Sequence, residues 1–354
     1  MWGRNKRGRC QQGPFYFLLS ENTCETFCAD PVYNQPSSVY CGVMSLGVCC
    51  HWIRRDVAPR SGKPQIINEL DERTLQLGRY ERGAYSEETI RALYLHNVQM
   101  LGDILKRAAS AGVRLFRVSS AMFPLADRVP RSLWDSDVIR SALSRVGAIA
   151  SSSKIRLTTH PGQFCVLSSD SDSVVEKAVV ELEIHGWMFD SMGMPRTPEA
   201  AINIHGGKSD RSSRLTEAIL SLPPASRSRL TLENCETCYS VVDLLPVSLA
   251  TGVPIVWDSH HHVFNPGDLT DDEACDATRE TWPSGVRPLQ HLSNTEPGRE
   301  GGSFTERRKH SDMIHYIPAA QLERLRRDEI DVEIEAKLKN LAVLDMPARF
   351  NVPL

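Results

Sequence analysis

Eight short apolar runs, separated by stretches of helical period, constrain this chain more than any other feature. They read VMSLGVCC (43–50), VRLFRVS (113–119), IRLTTH (155–160), AAINIH (200–205), RLTLE (229–233), PIVWD (254–258), RPLQHL (287–292) and DVEIE (331–335). Most are rich in leucine or β-branched residues and too short for buried helices, the pattern of strands covered on both faces of a parallel sheet. The longest helical segment, 86–112, opens on Ser86 with Glu88 behind it and stops at Gly112. Others run through SDVIRSALSRVGAIASS, SDSVVEKAVVELEIHGWMFDSM and SVVDLLPVSLATG. Strands alternating with helices require a parallel sheet, and eight such units close it into a (β/α)8 TIM barrel. A chain of 354 residues holds one barrel with an extension. Residues 43–354 are expected to form the barrel domain. Residues 1–42 mix Pro, Gly, Ser, Asn and Cys without a period and are expected to be a poorly ordered extension.

Bulk chemistry removes some function classes. No stretch reaches the roughly eighteen uninterrupted apolar residues of a membrane helix. The formal net charge is −3, so the molecule is no polycation, and a nucleic acid would have to be gripped by local basic loops. The ten cysteines are Cys10, Cys24, Cys28, Cys41, Cys49, Cys50, Cys165, Cys235, Cys238 and Cys275. They are scattered, and a chain this large can rely on a core, so reduced thiols are expected. The basic start MWGRNKRGRC is followed by an apolar stretch, FYFLL, too short for a secretory signal. An intracellular protein is expected: cytoplasmic or nucleoid-associated, or nuclear or mitochondrial in a eukaryote. Cys235-Glu-Thr-Cys238 has the spacing of half a zinc site, but no second cysteine pair follows at zinc-ribbon spacing.

The residues at the strand ends carry the chemistry. The third to eighth runs end in or beside His160, His205, Glu233, Asp258, His291 and Glu335. Strand ends of a barrel converge on its C-terminal face, where active sites form. Each residue alone has a bland reading, as a satisfied histidine, a helix cap or a surface charge. Three carboxylates crowded at one barrel mouth would repel one another, and a multinuclear metal centre removes that repulsion with these ligand types. The stretch VWDSHHHVFNPG (256–267) fits the same centre. Its histidines lie about ninety residues from the C-terminus, too far in for a purification tag. Asp258 closes the sixth run, and His261 follows close enough to reach a neighbouring ion. His260 and His262 are expected to point elsewhere or to support the ligands from behind.

Two further features suit a nucleic acid. Gln163 and Phe164 follow a Pro-Gly turn and would make a wedge, an aromatic face to stack and an amide to fill a gap in a duplex; core packing is the bland reading of Phe164. Arg54, Arg55, Arg60 and Lys63 follow the first run, and Arg299, Arg307, Arg308 and Lys309 follow the seventh. Both loops belong to the C-terminal face, where they could meet phosphates, with a solvated charge run as the alternative.

Several of these stretches together resemble one family. LGVCC (46–50), FRVSSAMFPLA (116–126), RLTTHPGQF (156–164), INIHGGK (202–208), RLTLENCETCYSVVDLLP (229–246), VWDSHHHVFNPG and PLQHLS (288–293) are similar to the UV damage endonucleases, whose barrel is related to endonuclease IV and xylose isomerase. The resemblance covers residues 43–337. It implies incision of the phosphodiester bond just 5′ to a pyrimidine dimer, a 6-4 photoproduct or an abasic site in double-stranded DNA. It also implies a cluster of divalent ions, typically manganese, at the barrel mouth. On the matching positions, Glu233, Asp258, His291 and Glu335 would hold the central ions, His160 and His205 a second ion, and His261 with His310 a third. Glu233, Asp258 and Glu335 would be the catalytic carboxylates, and Gln163 and Phe164 the loop that probes the damaged strand. No membrane and no obligate protein partner is implied, and a monomer is expected.

Two positions depart from the family pattern. A histidine ligand expected after the second run is replaced in FPLADR by Arg128, and a modified lysine expected before His291 is replaced by Leu289. The six strand-end ligands suffice for two ions and leave the third open. Arg128 could instead hold a phosphate through its fork of donors. Two other readings stand beside this one: a metal-dependent sugar isomerase or epimerase on the same barrel, and a lesion-binding relative that has lost turnover.

Overall fold

In the computed structural model, residues 45–56, 65–68 and 70–354 are described, with the side chains of residues 55, 56 and 65 excepted. The expected extension, residues 1–42, lies outside them, as do Arg60 and Lys63. Ten strands follow in chain order: β1 (Leu46–Cys49), β2 (Ile53–Asp56), β3 (Gln65–Asn68), β4 (Leu115–Val118), β5 (Arg156–Thr159), β6 (Ile202–His205), β7 (Leu230–Glu233), β8 (Ile255–Asp258), β9 (Leu289–Leu292) and β10 (Asp331–Ile334). Eight of them coincide with the eight runs and close a parallel barrel in the order β1-β10-β9-β8-β7-β6-β5-β4, with β4 back on β1. The expected (β/α)8 barrel is the observed fold.

The helices cover the barrel as their periods require. The segment expected at 86–112 is a helix over Glu87–Ser110, with the Ser86 side chain accepting from the Thr89 amide at 3.1 Å and Gly112 leaving it at φ +90°. Its inner face, Ile90, Leu93, Val98, Leu101, Ile104 and Leu105, is buried in the core. Each such side chain contributes about 1.5–3 kcal/mol through burial.

The remaining strands correct one expectation. Arg54 and Arg55 do not lie in an open basic loop: they belong to β2, which pairs antiparallel with β3. Ile53 is buried, and its backbone is clamped at both ends by the Asn340 side chain, at 2.7 and 2.9 Å. Those two bonds tether the start of the hairpin to the C-terminal helix Lys339–Phe350. Arg54 is exposed on the hairpin.

Inside the barrel, inward positions alternate along each strand and stack in layers. At the bottom Arg156 meets Asp331 at 2.9 Å, beside Leu115, Ala201, Val256 and Leu289, which pack as one apolar cluster. Gly47 makes room above it: a Cβ there would lie 2.6 Å from Leu115 Cδ2 and 3.1 Å from Glu333 Cγ. The middle layer holds Arg117, Glu333, Thr158, Asn203 and Thr231, all buried. The top layer is the expected ligand set.

Candidate metal centre

Glu233 ends β7 fully buried, and its neighbours define the site. His160 Nε2 lies 2.9 Å from its Oε2, while His261 Nδ1 and His291 Nδ1 lie 3.1 and 3.2 Å from its Oε1. Asn203, one layer below, donates to Oε2 and is itself held by the Thr231 hydroxyl at 2.8 Å. Burial alone would raise the Glu233 pKa, but His291 and His205 hold it well below the carboxylate range. The glutamate is therefore ionised without solvent, as a metal ligand must be.

Asp258 is placed by a cap. Its Oδ1 accepts from the amides of His260 and His261 at 2.7 and 2.8 Å, which starts the helix Ser259–Phe264 and turns Oδ2 towards His261 Nδ1 at 3.5 Å. The Asn234 side chain locks the strand end by bonding both the amide and the carbonyl of Asp258, at 2.8 and 3.0 Å. A helix that starts on a strand-end aspartate explains why three histidines follow it directly.

The imidazoles are oriented from behind. His160 Nδ1 sits 3.0 Å from the Pro161 carbonyl and His261 Nδ1 3.0 Å from the Asn234 carbonyl. A proton on His160 Nδ1 bonds to the carbonyl and leaves Nε2 facing Glu233, whereas His261 presents Nδ1 to Glu233 and Asp258 as well and turns Nε2 towards Glu236 at 4.0 Å. His291 is turned the other way: its Nε2 has Arg117 Nη2 at 2.8 Å and Glu333 Oε2 at 3.1 Å, and its Nδ1 faces Glu233 and Glu335. Its pKa is pushed up to about 10, because Glu233 outweighs the burial that opposes charge.

In each of two groups the ligand atoms all lie within 4.8 Å of one another: His160, His205 and Glu233, and Glu233, Asp258 and His291. Glu233 belongs to both, so its carboxylate can bridge two ions. The donor set also passes a test of fit. His205 Nδ1, Glu233 Oε1, Asp258 Oδ2, His260 Nε2 and His291 Nδ1 are buried without a hydrogen-bond partner. Buried polar atoms normally find partners, and four of these, on His205, Glu233, Asp258 and His291, belong to the two ligand groups, where cations would satisfy them.

The other expected ligands reach the cluster separately. His261 stands beside His205, with ring centres 5.5 Å apart, and His310 approaches Glu335 at 3.6 Å and the His260 ring at 6.0 Å. His310 thus neighbours His260, for which a supporting role is expected from the sequence. His262 points elsewhere: Nε2 lies 3.1 Å from the Leu269 carbonyl, and its ring packs edge-on against Trp257. Cys235 and Cys238 join no group of three ligands among the described residues, so a zinc site there lacks its remaining ligands.

The candidate DNA contacts divide. Phe164 is 80% exposed, which removes its core-packing reading, and Gln163 beside it is exposed as well. A cavity of about 510 Å³ opens beside Phe164, lined also by Phe123, Arg128, Lys177, Glu181 and His185. Arg128 pairs with its neighbour Asp127 at 2.9 Å. Arg307 lies 5.3 Å over the Phe264 ring, and the exposed Arg308 reaches Glu236 at 3.6 Å, so each already has a partner on the protein. Lys309 is exposed.

Sequence reasoning missed Arg117 and Glu333. Arg117 pairs with both Glu333 and Glu335, and Thr158 donates to Glu333. Glu333 is held down to about 2 against its own burial, chiefly by Arg117 and His291. Period-two spacing was the available signal, since Asp331, Glu333 and Glu335 must face the same way. Replacing Glu333 by Gln should lower manganese affinity about 10- to 100-fold, the usual cost of losing a carboxylate behind a ligand histidine. Calorimetric titration with Mn2+ checks this, and an unchanged affinity would refute it.

Comparisons with known proteins follow the same line. The family described as UV-endonuclease UvdE matches residues 55–351. A UV DNA damage endonuclease of Nostoc sp. is 37% identical over 303 residues, covering 82% of this chain and 90% of its own. That of Deinococcus radiodurans is 35% identical, covering 78% and 90%. Among solved structures, SacUVDE aligns with a TM-score of 0.70 at 27% identity, over 88% of this chain and all of its own. Endonuclease IV from Thermus thermophilus shares the fold, with a TM-score of 0.51 at 17% identity over 71% of this chain and 93% of its own.

Proposed function

The chain belongs to the UV-endonuclease UvdE family, endonucleases of UV-damaged DNA, and on that premise we propose that it hydrolyses the phosphodiester bond immediately 5′ to UV photoproducts and abasic sites with the help of divalent ions, manganese first among them. The observation that carries the metal dependence is Glu233 shared between two ligand groups, ringed by buried polar atoms without partners. Glu233, Asp258, His291 and Glu335 hold the central ions, His160 and His205 complete a second position, and His261 and His310 serve a third. Such ions, when bound, supply Lewis acidity and neutralise the charge that builds on a phosphoryl group. The chain's own residues fix the geometry. Asn203, Asn234, Arg117 and Glu333 hold the ligands from below and behind, and the buried floor keeps water out of the layer beneath. The catalytic unit is residues 43–354, working as a monomer on duplex DNA. Among the described residues no helix is long and apolar enough to cross a membrane.

Recognition falls to the exposed Gln163–Phe164 tip, which can enter the stack where damage has weakened it. Arg54, Arg55, Arg128, Arg307, Arg308 and Lys309 are the candidate phosphate contacts. Of these, Arg307 and Arg308 must exchange the Phe264 ring and Glu236 for phosphate. The function is tested with an irradiated, end-labelled duplex and Mn2+. A single incision on the 5′ side of the lesion is expected, and manganese-dependent retention in a gel shift with no incision would identify a lesion-binding protein instead. Gln163→Ala with Phe164→Ala should reduce the preference for irradiated over intact duplex by tenfold or more, at about 1–3 kcal/mol per lost stacking contact, while Mn2+ affinity stays constant. An unchanged preference would assign recognition to other loops.

A further inference from the structure

The CETC stretch is left unused by this chemistry, and its geometry is specific. It forms the turn between Glu233 and the helix Val241–Thr251, closed by the Cys235 amide donating to the Tyr239 carbonyl at 2.8 Å. Cys235 is buried, and its sulfur accepts from the amides of Cys238 and Tyr239 at 3.2 and 3.3 Å. Cys238 is only half-buried and shares a hydrogen bond with the Cys235 thiol. Both thiols are free. Between them, Glu236 extends towards His261 Nε2, 4.0 Å away, and towards Arg308 at 3.6 Å.

We propose that Cys235 and Cys238 form a reversible dithiol–disulfide pair, a modification site for hydroperoxides on the loop that carries Glu236 to His261. The outer thiol is the attacking group. Burial works against its ionisation, but hydrogen bonds from Ser209 and Thr237 outweigh burial and lower its pKa. The Cys238 thiolate breaks the peroxide O–O bond, taking one oxygen as a sulfenic acid while the other leaves as hydroxide. The Cys235 thiol then attacks the sulfenic sulfur, the S–S bond forms, and the second oxygen leaves as water with the remaining proton. Two electrons pass from the sulfurs to the peroxide, and a dithiol reductant reverses the change. The bond pulls Cys235 Sγ off the amides that hold it and shortens the turn around Glu236. Oxidation therefore shifts the surroundings of His261, an effect that rests on the proposed metal centre, whereas formation of the bond does not.

The test uses the full chain, freed of metal and treated with hydrogen peroxide, followed by unreduced peptide mapping and Mn2+ titration. The expected product is a peptide with Cys235 joined to Cys238, two hydrogens lighter, reversed by dithiothreitol and absent from Cys238→Ser. Manganese affinity should fall about tenfold on oxidation and recover on reduction, while Cys238→Ser binds normally and ignores peroxide. Oxidation of Cys238 without a link to Cys235, a link to another cysteine, or a link that leaves Mn2+ affinity unchanged would overturn the proposal. Failure of the reduced protein to bind Mn2+ at all would instead strike the metal centre, with peptide mapping still deciding the pair.

Discussion

Glu233→Ala is expected to reduce incision of irradiated duplex by at least about 10³-fold, beyond the loss of one oxyanion contact, because a whole ligand shared by two positions disappears. Metal analysis should show fewer ions bound per chain than in the unsubstituted protein. The variant should still fold. Glu233 is the chief charge that raises the His291 pKa against its burial, and it adds to Asp258 in raising that of His261. Without the carboxylate His291 can shed its proton and stay buried as a neutral group, while His261 keeps Asp258 at 3.5 Å. Circular dichroism melting separates the two effects, since a loss of activity with the fold intact is the expected pair of results. Incision at the original rate would remove Glu233 from the centre, together with the role proposed for it in both ligand groups.

How much of this was legible in the sequence depends on what kind of constraint each residue obeys. The strands showed because a parallel barrel buries both faces of each, which leaves short apolar runs at regular intervals. Asp258 and Glu233 showed because a charge ending such a run has little reason to be there unless it serves the barrel mouth. Arg117 and Glu333 obey a different constraint. They sit inside their strands, and their roles arise from register: Glu333 pairs across β10 and β9 with His291, and Gly47 on β1 leaves the space that Leu115 and Glu333 fill. The period-two spacing of Asp331, Glu333 and Glu335 turns Glu333 to one face, but its pairing with Arg117, 216 residues away in the chain, is a property of closure, which no local window contains. The hairpin of β2 and β3 was hidden for another reason, since its arginines dominate a four-residue strand and read as a charge run. His310 and His260 likewise meet only because the turn Phe304–Arg307 folds back over the helix that follows β8, a packing event without a local signature.

Arg117→Met tests the layer beneath the candidate metal ligands and should be the most destabilising single change at the site. The guanidinium is buried and pairs with Glu333 and Glu335, and when it goes both lose their main cation and are left with His291 beside them. Breaking a buried pair by removing one partner typically costs about 3–5 kcal/mol, because the remaining charge stays desolvated. The pH dependence has a definite sign. Glu333 has a folded pKa of about 2, below the unfolded carboxylate range, so its pairing stabilises the protein above that range and is lost as pH falls towards 2. In the variant Glu333 can be buried neutral once protonated. The gap in stability between the two proteins is therefore widest near neutrality and narrows as pH drops through about 4. Adding Mn2+ should recover part of the loss by supplying positive charge at Glu335, since only the folded state assembles the ligands. Adding Glu333→Gln to Arg117→Met removes one stranded charge and should raise the melting temperature above that of Arg117→Met alone. A melting temperature for Arg117→Met equal to that of the original protein at pH 7, or a gap that widens in acid, would show that the buried network does not carry the charge balance assigned to it.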